Sequence, residues 1–184
     1  MALRIKIKLL PLLAATFHIL AFIFGAVGTF SMEDGWGKGP EYEIGWREYS
    51  ESNAYNDFEA DLSGDLEKGG YAAIAGCAIG NVASLIFAFP LCVLTGLGGG
   101  DLIILTKMVM WGVFFSMVAA GGPLVGSMAW LGITWDARKD APGGEIDPHI
   151  AFGLSLAAFM MAAAAAMLLG LSTHKDKVLW RRFT

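Results

Sequence analysis

The feature that most constrains this chain is where its charges are not. Four runs, Leu9–Phe30, Tyr71–Thr95, Leu102–Leu131 and Ile150–Leu171, contain a single charged residue between them, Lys107. A membrane span needs about 20 apolar residues at a rise of about 1.5 Å each, and every run is long enough. Buried helices of a water-soluble domain are shorter and keep a polar face. The pattern therefore predicts an all-α membrane protein, a bundle of four transmembrane helices forming one domain over residues 1–184. The runs are joined by a long loop (31–70), a tight turn (96–101) and a second loop (132–149), and are followed by a tail (172–184). Arg4, Lys6 and Lys8 precede the first run as in a secretory signal. That run exceeds the roughly 7–15 residues of a signal core, so it reads as a retained first helix.

Charge asymmetry suggests the orientation. Residues 1–8 carry three cations and no acid, and residues 173–184 carry four cations against Asp176. The 31–70 loop has eleven acidic residues against Lys38, Arg47 and Lys68. The 136–149 stretch has four acids against Arg138 and Lys139. Lys and Arg are retained on the cytoplasmic side. Both termini are therefore expected in the cytoplasm, or its organellar equivalent, and both long loops outside. Lys107 falls near the inner face, where its stem can carry the ammonium to the headgroups. The third run is overlong and contains Gly121–Gly122–Pro123, so a bend is expected there. Trp130 and Trp135 beyond it suit a membrane interface.

Small residues recur at four-residue steps: Ala72, Gly76, Gly80 and Ser84; Gly112, Ser116 and Ala120; Ala158, Ala162, Ala166 and Gly170. Lipid supplies no hydrophobic force between helices, so close backbone approach lined by small side chains does the packing. These lines predict a tight bundle or a surface that docks on another protein. Asn81 and His18 lie roughly 15 Å and 14 Å from opposite faces, near one plane of a core about 30 Å thick. A His18–Asn81 hydrogen bond is geometrically allowed.

The same residues bear on catalytic and cofactor chemistry. Cys77 and Cys92 share one helix several turns apart, and the outer loops hold no cysteine. No CxxC, HExxH, GxSxG or phosphate-loop pattern occurs. His18 would need a second axial ligand to hold haem. His149 is at an outer helix end and His174 is in the inner tail, so neither fits. Glu59–Gly70 has acids spaced as in a calcium loop, but its twelfth place is Gly70 and not a bidentate Glu. It reads better as an acidic helix entry. No cofactor, metal or nucleic-acid partner is expected, and the chain is not read as an enzyme. Membrane lipids and other membrane proteins, or further copies of the chain, are the expected partners.

The first loop carries Trp36, Tyr42, Trp46 and Tyr49 among its charges. Tyr42, Ile44 and Trp46 alternate as in a half-buried strand. A small outer β-sheet packed over the bundle is expected from this loop. Its length, near 40 residues against a usual connection of about 4–6, argues that it holds structure or a partner.

The order of four spans, a long first outer loop, a short inner turn, a shorter second outer loop and an overlong third helix resembles the claudin-like tetraspan superfamily. Its members include claudins, peripheral myelin protein 22, calcium-channel gamma subunits and amastins. Trp36 and the Ile44–Ser50 stretch are similar to that group's loop tryptophans, with shorter spacing and without the two cysteines that follow. The resemblance implies a left-handed four-helix bundle with a small extracellular sheet, acting through lateral and head-on protein contacts. The alternative is a small accessory subunit of a large membrane assembly, such as a respiratory or photosynthetic complex.

Overall fold

A computed structural model describes residues 8–30, 35–39, 43–44, 60–97, 102–141 and 144–180. Four of its helices are long and apolar enough to cross a membrane, over Leu9–Thr29, Gly64–Leu97, Ile104–Ile133 and Ile150–Ser172. The chain is an integral, multi-pass membrane protein.

The first helix, α1, is Leu9–Phe30. The second span is one rod with a defect: α2 (Ala60–Val82), a π-helical segment (Ala83–Ala88) and α3 (Phe89–Leu97). Pro90 explains the defect. Proline donates no backbone N–H, and its ring collides with the carbonyl four residues back. Widening the preceding turn relieves that collision, and the Phe89 N–H donates to the Ser84 carbonyl five residues back. The third span is α4 (Leu102–Ile133), which continues unbroken through Pro123. A short α5 (Trp135–Lys139) follows, and α6 is Ile150–Trp180. The Lys8 N–H donates to the Gly96 carbonyl at 2.9 Å, which ties the start of α1 to the end of α3.

The rod begins eleven residues before the apolar run at Tyr71. Residues 60–70 are helical, so the calcium-loop reading of 59–70 fails and the acidic helix entry stands. Lys68 pairs with Asp65 at 3.0 Å and Tyr71 donates to Glu67 at 3.1 Å, both one turn apart. Such exposed pairs contribute little.

Three layers of small side chains fill the bundle. Ala14, Ala15, Cys92, Ala165 and Leu169 pack near the α3–α4 turn. Ala21, Ala83, Ala119, Ala120 and Ala162 form the middle. Trp36, Ala73, Cys77, Trp130 and Ala151 close the far end. The buried seam of α6 runs Ala151, Ser155, Ala158, Ala162, Ala165, Leu169, Ser172. Those steps alternate between four and three, the periodicity of left-handed packing. The expected line through Ala166 and Gly170 is corrected accordingly: Ala166 is half-buried and Gly170 exposed. Strict four-residue steps drift by about 40° each around a helix of 3.6 residues per turn, so such a line leaves the seam.

A three-stranded antiparallel sheet caps the far end, in the order β2 (Glu43–Ile44), β1 (Gly37–Lys38), β3 (Asp147–Pro148). Gly37 pairs with Ile44 on one side and Pro148 on the other. The sheet thus joins both long loops, whereas the sequence suggested the first alone. Gly144, with φ 132°, makes the turn into β3, a conformation that favours glycine.

Candidate functional site

The polar groups of this bundle form a column along its axis, and α4 is the element that strings them together. Ser116, Ser127 and Thr134 are all 0% exposed. Ser116 and Ser127 lie on one face of α4, eleven residues apart, and Thr134, seven residues further on, sits at the junction of α4 and α5; both steps are close to whole numbers of turns.

At the lowest level, His18 of α1 is 0% exposed and bridges two other helices. Its Nδ1 is 2.9 Å from Ser84 Oγ in the π segment, and its Nε2 is 2.8 Å from Ser116 Oγ on α4. The Ser84 hydroxyl donates to the His18 carbonyl at 3.0 Å, so its oxygen is left to accept the Nδ1–H. Nε2 is then the acceptor. The single Ser116 proton is shared between Nε2 and the Gly112 carbonyl, 2.7 Å away. The pairing expected from depth, His18 with Asn81, is corrected by these contacts. Asn81 instead packs on Gly25 of α1, and a Cβ there would collide with its amide. Residues 81 and 84 differ by one turn in height, and the π segment that starts at Ala83 turns Ser84 onto His18. A Ser–His contact is also an ingredient of nucleophilic catalysis. Here Ser84 and Ser116 are 1% and 0% exposed, and the Ser84 proton is held by a backbone carbonyl, so the arrangement ties helices together.

The middle level joins three helices through Ser155 of α6. Ser127 donates to Ser155 Oγ at 2.8 Å, Ser155 reaches the Pro123 carbonyl at 3.3 Å, and Cys77 Sγ is 3.3 Å away. Sequence reading missed this group. The i, i+11 spacing of Ser116 and Ser127 on α4 was its one visible signal.

The line of small residues on the second span holds the rod to α4. Gly76 and Gly80 lie against Gly122, Pro123 and Gly126. A Cβ on Gly76 would sit 2.7 Å from Gly126 Cα, and one on Gly80 would sit 2.8 Å from Pro123 Cγ and 2.9 Å from the Ala119 carbonyl. Here two backbones touch with nothing between them. Gly112 is also buried, with Leu169 Cδ1 3.3 Å from where its Cβ would be.

At the top, Trp36 (1% exposed) and Trp130 (0%) meet at a tilt of 49° with centroids 5.9 Å apart, and Phe152 completes the trio. Trp130 is therefore a core residue; Trp135, 52% exposed, is the one that suits an interface. The Trp36 backbone N–H donates to the Ile44 carbonyl at 2.6 Å, and the Trp36 carbonyl accepts from the His149 backbone N–H at 2.8 Å. One residue so fixes β2 and the entry to α6. Arg138 is 4% exposed and lies over the Trp130 ring at 5.1 Å. It donates to Thr134 Oγ1 at 3.1 Å and to the Ile146 carbonyl at 3.0 Å, while the Ile146 N–H returns a bond to the Arg138 carbonyl. Burial pulls its pKa down and the nearby Glu145 and Asp147 push it up. It stays charged, as guanidinium does in proteins. The other loop anchors read from sequence, Tyr42, Trp46 and Tyr49, lie outside the described residues.

No family model matches the chain, and no curated protein is significantly similar to it.

Proposed function

We propose that this chain is a non-enzymatic tetraspan membrane protein that acts through lateral and loop-mediated protein contacts, as its claudin-like topology implies. The observation that carries the reading is the paired cap. Strand β1 of the first long loop hydrogen-bonds β3 of the second over a base of Trp36, Trp130 and Arg138. Below it, the hydroxyls of Ser84, Ser116, Ser127 and Ser155 are spent on His18, on one another and on backbone carbonyls, which supports a scaffold over a reactive centre. The acidic loops would face out and both termini in, by the Lys/Arg asymmetry.

The test uses full-length chain extracted from its native membrane in mild detergent and weighed by native mass spectrometry. The claudin-like reading expects homo-oligomers that dissociate when the exposed cap residue Asp147 is changed to Arg. A fixed complex with unrelated subunits, untouched by D147R, would favour the accessory-subunit alternative.

A further inference from the structure

We propose that a trough on the outside of the bundle, between the π segment and the first half of α4, is a binding site for one anionic phospholipid. The trough begins at Lys107, the one charged residue within the four apolar runs, which is exposed and on an otherwise apolar wall. Its first part, about 460 Å³, lies between Lys107, Trp111 and Phe115 of α4 and Ile86, Phe87 and Pro90 across the seam. A second part of about 360 Å³ shares Phe87 and Phe115 and continues to Ile79, Val82 and Val118. The rings of Phe87 and Phe115, which line both parts, stack at 4.6 Å.

Two observations fix the occupant. The first is charge. Lys107 enters the trough at the end of the bundle where α3 gives way to α4, a few residues inside the span that starts at Ile104. A lysine at that depth reaches the headgroup layer, and a basic pocket between helices at a membrane face suits an anionic head. The second is length. From Lys107 to Val118 is eleven residues, or about 16 Å of helix, and a single leaflet of hydrocarbon is about half of 30 Å. A lipid with its phosphate on Lys107 would lay one acyl chain along the whole trough and end it at mid-membrane. The π segment contributes by form as well as by lining: its widened turn sets Ile86 and Phe87, 59% and 42% exposed, outward as one wall.

The experiment offers the detergent-purified full chain equimolar long-chain phosphatidylglycerol and phosphatidylcholine, and counts retained lipid by native mass spectrometry. Wild type should retain phosphatidylglycerol about fivefold over phosphatidylcholine, the ratio expected for one cation at a membrane surface. K107Q should bring the ratio to about one without reducing total lipid. In the double variant K107Q/T106K the charge stays at nearly the same depth but about 100° around the helix; the preference should not return. Ala78→Phe, which fills the far part, should lower retention of the long-chain lipid and spare a short-chain lipid with the same head. Equal retention by wild type overturns the proposal. So does a preference that survives K107Q or is restored by T106K, since either makes it a general headgroup effect. Displacement of the lipid by millimolar inorganic phosphate would likewise overturn it, by making the ligand a free anion.

Discussion

His18 has no water to fall back on. In hydrocarbon an unpaired ring nitrogen costs more than its hydrogen bond returns, so its two serine partners decide whether it is tolerable. They come from two different spans, and the one imidazole therefore fixes the mutual rotation of three helices. His18→Ala should cost about 2–4 kcal/mol in detergent unfolding, from two interhelical bonds at roughly 1 kcal/mol each and the cavity left among alanines. Ser116→Ala removes one bond and should cost about 1 kcal/mol. Nitrogen-15 NMR of the imidazole should report the tautomer protonated on Nδ1, because the Ser84 proton is held by the His18 carbonyl. A loss under 0.5 kcal/mol for His18→Ala would mean that the tie is incidental. The residue-level part of the site was half legible. His18, Ser84 and Ser116 each stand out as polar groups on apolar runs, but their meeting depends on a π turn. That turn depends on Pro90, six residues beyond Ser84, and no periodicity within the run announces it.

Helices in lipid associate by fit, and the seam between α2 and α4 brings two backbones into direct contact. Gly76 and Gly80 were visible as a small-residue line. Their partners, Gly122 and Gly126, were obscured because Pro123 between them drew attention as a bend. Proline's missing N–H leaves the Ala119 carbonyl without its usual partner, and that carbonyl lies 2.9 Å from where a Gly80 Cβ would be. Even alanine at Gly80 therefore forces the two backbones apart. Gly80→Ala should destabilise by about 1–3 kcal/mol, the usual cost of overpacking. Gly121, one residue away from the seam, has nothing within 4 Å of a Cβ. Gly121→Ala should be neutral or stabilise by up to about 1 kcal/mol, because alanine is the better helix former. Thermal unfolding of the two variants side by side separates backbone contact from helix propensity. Equal shifts would show that the seam is not closely packed.

The whole molecule is a four-span bundle because its charge is excluded from four runs, and that much is readable from charge and hydropathy alone. The cap was less legible: strand β1 holds two residues and pairs with β3, more than 100 positions away, and so short a strand leaves no alternating pattern to detect. What the fold leaves open is which side of the membrane the cap faces. In the proposed orientation, the Lys/Arg excess at residues 1–8 and 173–184 is expected to hold both ends in the cytoplasm and the cap outside. Single added cysteines at Ser52 in the first loop and Thr184 at the C-terminus test this in sealed vesicles or intact cells. Ser172 is a poorer reporter of the tail, being 7% exposed with its hydroxyl on the Leu169 carbonyl. The native Cys77 and Cys92 are both 0% exposed inside the bundle and should stay silent. A membrane-impermeant maleimide applied from outside should label Ser52→Cys at once and Thr184→Cys only after the membrane is opened. The reverse order would invert the bundle and put the acidic loops in the cytoplasm. Labelling of both from one side would mean an even number of crossings between them, against the three that the four spans place there. The same reagent locates the trough, since Lys107 lies at the end opposite the cap: when the cap labels from outside, the leaflet that supplies the anionic lipid is the cytoplasmic one.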